Sequence, residues 1–198
     1  MRTMRRVPYR GLALVVALSL AAAGALVGQG AAPSKEQADD AAAIKQFMVR
    51  VDEYMKLRTT IEKQLPASKN KEELPEMIAA HQQALARKIQ DGRANAKTGD
   101  IFTREAREAF RHVISGVFED PQNAVTHALQ QQKTVQSVPL KVNGNYPDAI
   151  AETTFPSALL QKLPTLPDEL SYRIMGRDLV LVDRKANLVI DLFHEALP

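Results

Sequence analysis

The end of the chain constrains the fold most, because it holds three short segments in which apolar residues alternate with other residues. The stretch reads SYRIMGRDLVLVDRKANLVIDLF and covers 171–193. Successive side chains of a strand point to opposite faces, so this alternation is typical of β-strands. Gly176–Arg177 suits the two central positions of a II′ hairpin turn, and 184–187 suits a four-residue second loop. The stretch therefore predicts a three-stranded antiparallel meander.

The two turns also predict which residues face one another. Arg173 is expected opposite Val180 in the first hairpin, and Val180 opposite Asp191 in the second. One face of the sheet is then apolar and available to the helices: Tyr172, Ile174, Leu179, Leu181, Leu188, Ile190 and Leu192. The other face is mixed: Arg173, Met175, Val180, Val182, Val189, Asp191 and Phe193.

Four charged residues of this stretch are candidates for a polar site. We expect Arg173 and Asp191 to form a solvated pair on the mixed face, and a small polar site there is the alternative. Asp178 and Asp183 are expected to flank the turns, where local hydrogen bonding favours aspartate. The pattern therefore predicts the fold of this stretch more directly than it predicts a functional site.

A long first helix is predicted to begin after Ser34, because Ser34–Lys35–Glu36–Gln37 fits a capping box. Apolar residues then recur at spacings of three and four: Ile44, Phe47, Met48, Val51, Tyr54, Met55, Ile61 and Leu65. This pattern predicts one helix over about 35–64, roughly 45 Å long at 1.5 Å per residue. We expect its apolar face to pack in the core. The alternative is that part of the helix projects and docks to a partner or to a second copy.

Further helices are predicted from their start signals. The second begins near Leu74–Pro75, because proline is favoured in a first turn. Thr103 suits the N-cap of the third, and Asp120–Pro121 suits the start of a short fourth helix that ends near Gln131.

The chain changes character after residue 131. Five of the eleven prolines lie between Pro139 and Pro167, and Val138–Val142 is a candidate edge strand, the one kind of strand that tolerates Pro139. Helices first and strands last predict an α+β domain. We expect a bundle of three to four helices in 31–131, packed on the meander, with or without the extra edge strand. Residues 132–198 supply the proline-rich connector and the meander.

Residues 1–30 are typical of a signal peptide. Arg2, Arg5, Arg6 and Arg10 precede an uncharged apolar run over 11–27, and small residues follow. We expect cleavage and a periplasmic or secreted protein. The alternative is an uncleaved anchor, residues 11–27, in the inner membrane.

The N-terminal segment also accounts for the positive net charge of the chain. The whole sequence has 26 Lys and Arg against 23 Asp and Glu, and four of the basic residues but no acidic residue lie in 1–30. The remainder has a net charge of −1, so we expect no nucleic-acid partner. Contact with a membrane is expected only through the N-terminal segment.

Motifs for catalysis or metal binding do not stand out. The chain has no cysteine, and its four histidines fall in no spacing typical of metal ligands. Glu108 and His112 are spaced to touch on one helix face, and we expect a surface pair there. We predict no catalytic, cofactor-binding or metal-ligating residue, and we retain Arg173, Asp191, Glu108 and His112 as polar candidates.

The stretch FPSALLQKLPTLPDELSYRIMGRDLVLVDRKANLVIDLF resembles a family of uncharacterised exported bacterial proteins. They share an LPxLPxxLxYR segment followed by GRDLxLxDxxANL, and the resemblance implies export but no activity. The closing hairpin alone is similar to periplasmic proteins related to a nickel/cobalt efflux regulator, and this similarity implies no metal-ligating residue in the present chain.

These observations predict a non-catalytic binding or interaction domain of the cell envelope, with a protein or small ligand as its partner. One alternative is a low-affinity periplasmic protein that binds or senses divalent metal. A second is an envelope hydrolase that uses a pair of carboxylates.

Overall fold

The protein is described from a computed structural model. The described residues are 34–66, 75–119, 139–147 and 155–198, and all of them belong to one compact unit, Pro33–Pro198. The predicted signal peptide and the predicted fourth helix at 120–131 lie outside the described residues. Within the described part, no helix is both long and apolar enough to cross a membrane.

Helix α1, Lys35–Glu62, begins as the capping box predicts. The backbone N–H of Gln37 donates to the Ser34 hydroxyl, and the Gln37 side chain accepts from the Ser34 N–H. The first buried residue of α1 is Phe47. The three turns before it are exposed or half-buried, so the helix enters the core only from its middle onward.

Helices α2, Pro75–Gly92, and α3, Arg104–Glu119, pack beside α1. Both begin where they were predicted, and the Thr103 hydroxyl accepts the N–H of Ala106 at 3.3 Å as an N-cap. A single helical turn, α4, covers Ser157–Leu160 and contacts α3.

Strands β1, Leu170–Met175, β2, Asp178–Asp183, and β3, Leu188–Phe193, form the predicted antiparallel meander. The α+β arrangement, with helices first and the meander last, is confirmed. The first hairpin has the predicted register, with Arg173 opposite Val180. Gly176 has φ +61°, a left-handed value that the first central position of a II′ turn requires.

The predicted register of the second hairpin is wrong for the part of β3 that follows a β-bulge. It holds next to the turn, where Val182 lies opposite Val189, but a β-bulge follows and places Leu181 opposite Asp191. The bulge adds one residue to β3, so Asp191 lies on the helix-facing side and Leu192 on the other. Phe193 accordingly takes the core position that was predicted for Leu192.

Both faces of the sheet are covered. The helix-facing side joins the main core, which includes Phe47, Phe102, Phe110 and Phe193 in successive ring contacts. On the other side Leu140, Val142 and Tyr146 pack on a smaller cluster.

The described part of the candidate edge strand, 139–142, is not a strand. The pairing lies further along instead, where Asn145 forms an isolated antiparallel bridge with Leu188 of β3.

Candidate functional site

A buried charge network joins α1 to the turn between β2 and β3. The Oδ2 atom of Asp183 accepts from the Tyr54 hydroxyl and from Arg58 Nε, both at 2.7 Å. Its Oδ1 atom accepts the backbone N–H groups of Lys185 and Ala186 at 3.0 and 2.8 Å. Asp183 is 0 % exposed, so a fully desolvated carboxylate is balanced by four donors.

Arg58 links this network to the surface. Its Nη1 atom lies 2.6 Å from Glu62 Oε2, while its Nη2 atom is buried and has no hydrogen-bond partner among the described residues. Burial lowers the pKa of Arg58, because it disfavours the charged guanidinium. The adjacent Asp183 carboxylate acts in the opposite direction, and the pKa of Arg58 is raised above its ordinary value. Burial, and then the Asp183 charge, also raise the pKa of the Tyr54 hydroxyl, which therefore stays protonated as a donor.

A second buried carboxylate, Asp191, fixes the loop between α2 and α3. It accepts the N–H of Gly99 at 2.8 Å and those of Ile101 and Phe102 at 2.7 Å each. Gly99 has φ +95°, which places its N–H toward the carboxylate at a backbone conformation that other residues rarely adopt. Asp191 is 0 % exposed and also bonds the N–H of Leu192.

Arg93 lies between these two networks. Its guanidinium carbon is 5.2 Å from the centre of the Tyr54 ring, and its Nη2 atom donates to the Ile190 carbonyl at 3.1 Å. Burial lowers the pKa of Arg93, and the nearby Tyr54 and Asp191 oppose that effect. Both buried aspartates thus have their oxygens engaged in holding loops and helices, which is a structural role.

Arg173 and Asp191 lie on opposite faces of the sheet, contrary to the predicted pair. Arg173 is opposite Val180, which in turn is opposite Leu192, whereas Asp191 is opposite Leu181. The bulge is the physical reason, because one extra residue reverses the facing of every later side chain of β3.

Glu108 and His112 line an open groove between the first turns of α1 and α3. We call it the acidic groove; its volume is about 880 Å³. Five carboxylates line it: Glu36, Asp39, Asp40, Glu105 and Glu108. Lys35 and Arg50 are the fixed cations among the described residues of its walls, and these residues together have a net charge of −3 with His112 neutral.

His112 clamps the two helices at this groove. Its Nδ1 atom lies 2.8 Å from Asp40 Oδ2, and its Nε2 atom lies 3.5 Å from Glu36 Oε1. The hydrogen bond with Asp40 raises the pKa of His112, and the charges of Asp40, Glu36 and Glu108 add to the effect. The partners of His112 on α1 were not predicted, because the sequence paired it with Glu108 on its own helix.

The other described histidines do not join this cluster. His81 is half-buried on α2 and lines a different groove, and His194 pairs with Asp178 at 2.8 Å. His127 lies outside the described residues. No group of three or more His, Asp or Glu residues that could hold a metal ion occurs in 34–66, 75–119, 139–147 or 155–198.

Asp183 flanks the turn and accepts its N–H groups, as predicted, but neither its burial nor its pairing with Arg58 was predicted. A signal for Arg58 does exist: the buried positions of α1 are 47, 51, 54, 58 and 61, so an arginine occupies the core stripe. A buried arginine requires a carboxylate partner, but the sequence did not indicate that this partner is Asp183.

Comparisons of the chain with protein-family models, with curated proteins and with solved structures gave no match. The resemblance to exported bacterial proteins therefore stays a prediction. Function has to be argued from the geometry of the described residues.

Proposed function

We propose that the chain is a non-catalytic binding domain of the cell envelope, and that the acidic groove is its contact surface for a cationic ligand or peptide segment. The observation that carries the proposal is an open groove of about 880 Å³ whose walls have five carboxylates and two fixed cations. Four of the carboxylates are exposed, and Asp40 is half-buried. Exposed charges of one sign attract and orient a ligand of the opposite sign.

The assignment to the envelope rests on the N-terminal segment. Its arginines, apolar run and small residues have the order of a secretory signal. A periplasmic or secreted protein fits this order best, and an anchor formed by residues 11–27 is the alternative.

The difference in burial and hydrogen bonding between two sets of carboxylates supports a binding role. Asp183 and Asp191 are fully buried, and backbone or side-chain donors engage both of their oxygens. Four of the five described carboxylates of the acidic groove are exposed to solvent instead, and Asp40 is half-buried beside His112. An enzyme that uses carboxylates for proton transfer places them in a water-excluded pocket, where their pKa values are tuned.

The test is a titration with a fluorescently labelled oligolysine peptide, followed by anisotropy at low and at high salt. The groove variant combines Asp39→Asn with Glu105→Gln, and the control combines Asp52→Asn with Glu119→Gln. Asp52 and Glu119 are exposed on the same two helices but do not line the groove. Both variants change the net charge equally.

The groove variant is expected to bind about 3- to 10-fold more weakly, since each charge contributes roughly 0.3–0.7 kcal/mol at an exposed site. The control variant is expected to bind like the original protein. An equal loss in both variants would show that only the net charge matters, and the proposal would then be wrong.

A protein that binds divalent metal with low affinity is the alternative that the sequence left open, although no group of three or more described His, Asp or Glu residues is arranged to hold a metal ion. The place to test is His112, which lies between Asp40 and Glu36. Calorimetry with nickel, cobalt, zinc and copper tests it. Metal binding that disappears in His112→Gln, while oligolysine binding is unchanged, would favour the metal.

A further inference from the structure

A second groove lies near the other end of α1. It is formed by the last turn of α1 with the residues that follow it, by α2, and by the turn between β2 and β3, and its volume is about 790 Å³. Leu65, Pro66 and Ile78 give it an apolar lining, and Lys63, Arg184 and Lys185 give it three fixed cations. We call it the basic groove.

Positive charge dominates the basic groove. Glu62 is its one lining carboxylate among the described residues, and it is already paired with Arg58 at 2.6 Å and with Lys185 at 3.7 Å. Behind Glu62, Arg58 is 1 % exposed, and one of its buried N–H groups has no hydrogen-bond partner in the described part of the chain. With His81 counted as neutral, the described residues that line the groove have a net charge of +2. An anionic occupant is therefore favoured.

The apolar part of the groove comes from an uncovered section of α2. None of the residues 75–80 is buried, whereas Leu85, Ala86 and Ile89 of the same helix lie in the core. Ile78 and its neighbour Met77 are each 53 % exposed. Single exposed apolar residues are ordinary at protein surfaces, but Ile78 lines a concavity together with Leu65 and Pro66.

We propose that the basic groove docks an acidic peptide segment of a partner protein. An apolar side chain of that segment packs on Ile78 and Leu65, and flanking carboxylates pair with Lys63, Arg184 and Lys185. The two parts match the two features that such recognition needs, an apolar anchor for affinity and rim charges for orientation. A nucleic acid would instead require a longer cationic track with stacking aromatic side chains, and none of the described residues that line this groove is Phe, Tyr or Trp.

This inference is independent of the acidic groove. No described residue lines both grooves, so a failure of one proposal leaves the other standing. If both hold, the domain connects a cationic ligand near one end of α1 to an acidic partner near the other.

The experiment uses protein purified after expression of the full chain, and a labelled peptide of aspartate and glutamate around a central leucine. The charge variant combines Lys63→Glu with Arg184→Glu. Its matched control combines Arg87→Glu with Lys88→Glu, two exposed residues of α2 that do not line the groove. A third variant, Ile78→Ser, leaves every charge in place.

Saturable binding of the peptide is expected, weakened about 10-fold by the groove charge variant and about 3- to 10-fold by Ile78→Ser. The control variant is expected to bind as the unmodified protein does. Circular dichroism establishes that each variant is folded, and because Lys63, Arg184 and Ile78 are all exposed, folding is expected to be retained.

Three outcomes would overturn the proposal. One is an equal loss in the groove variant and its control, and another is unchanged binding in Ile78→Ser. The last is that vesicles of phosphatidylglycerol or a single-stranded oligonucleotide bind the protein more tightly than the peptide, with the same dependence on the groove variants.

Discussion

Replacing Asp191 by alanine should remove much of the stability of the domain. The carboxylate is fully buried and accepts three N–H groups from the loop between α2 and α3, two of them buried, at 2.7–2.8 Å. Alanine leaves those N–H groups without an acceptor in a region that water does not reach. The change therefore removes the bonds and adds the cost of burying unpaired donors.

The magnitude follows from the number of long-range bonds. A hydrogen bond to a charged group contributes about 1.5–3 kcal/mol, and the lower value for three bonds gives about 4–5 kcal/mol. A domain is stable by about 5–15 kcal/mol in total, so Asp191→Ala is expected to be at the edge of folding. Asp191→Asn keeps the shape and one acceptor oxygen, and we expect roughly half the loss.

Urea unfolding followed by circular dichroism measures the free energy of unfolding, and amide hydrogen exchange at Ile101 and Phe102 reports on the loop itself. The control is Asp178→Ala, a half-buried carboxylate that bonds His194 and the N–H of Glu195, for which we expect a loss of about 1 kcal/mol. A loss for Asp191→Ala no larger than that of the control, or unchanged exchange in the loop, would refute the reasoning.

Three further predictions concern single groups. Tyr54→Phe removes a buried donor to a carboxylate and should lower the free energy of urea unfolding by about 1.5–3 kcal/mol. Tyr172→Phe should cost less, because the Tyr172 hydroxyl donates to a neutral carbonyl at 3.1 Å. Equal losses in the two variants would contradict this prediction. The raised pKa of His112 means that its clamp contributes stability fully below the pKa of an unfolded histidine, and that this contribution is lost as the pH rises through the folded pKa. NMR titration should show that Asp40→Asn returns the pKa of His112 toward its ordinary value, and an unchanged titration would exclude the hydrogen bond as the cause. Gly176→Ala should destabilise the first hairpin by about 1–2 kcal/mol, because its φ of +61° is unfavourable for alanine. Steric contact is not the cause, since no atom outside the adjacent residues lies within 4 Å of the added methyl group. Thermal unfolding unchanged from the original protein would show that the turn has relaxed.

Local patterns predicted the elements of the fold well. Capping residues placed the starts of α1 and α3, and strict alternation with a glycine turn set the register of the first hairpin. These features depend on residues close together in the chain, so their physical cause is readable from the sequence.

The bulge and the buried charges were not predictable in the same way. In LVIDLF, Leu192 and Phe193 are both apolar, so either one satisfies the core and the pattern does not reveal an inserted residue. The long-range contacts of Asp191 and Asp183 join residues 89 to 129 positions apart. Only the folded chain shows that loop amides and an arginine of the core stripe surround these carboxylates.

The candidate site was predicted in part. Glu108 and His112 do line a groove, but its other wall comes from α1, which no local pattern of α3 could indicate. Arg173 and Asp191 were grouped because the register was extended past the bulge.

The bulge in β3 has a consequence for the order in which the domain can be completed during synthesis. The helices leave the ribosome well before β3, yet the loop between α2 and α3 is closed by Asp191, 89–92 residues later in the chain. Arg58 likewise has its carboxylate partner, Asp183, 125 residues later in the chain. A growing chain that ends before β2 lacks both aspartates, so its loop amides and its core cation have no carboxylate partner and it cannot reach native packing. The domain thus remains short of its folded state until β3 has been made.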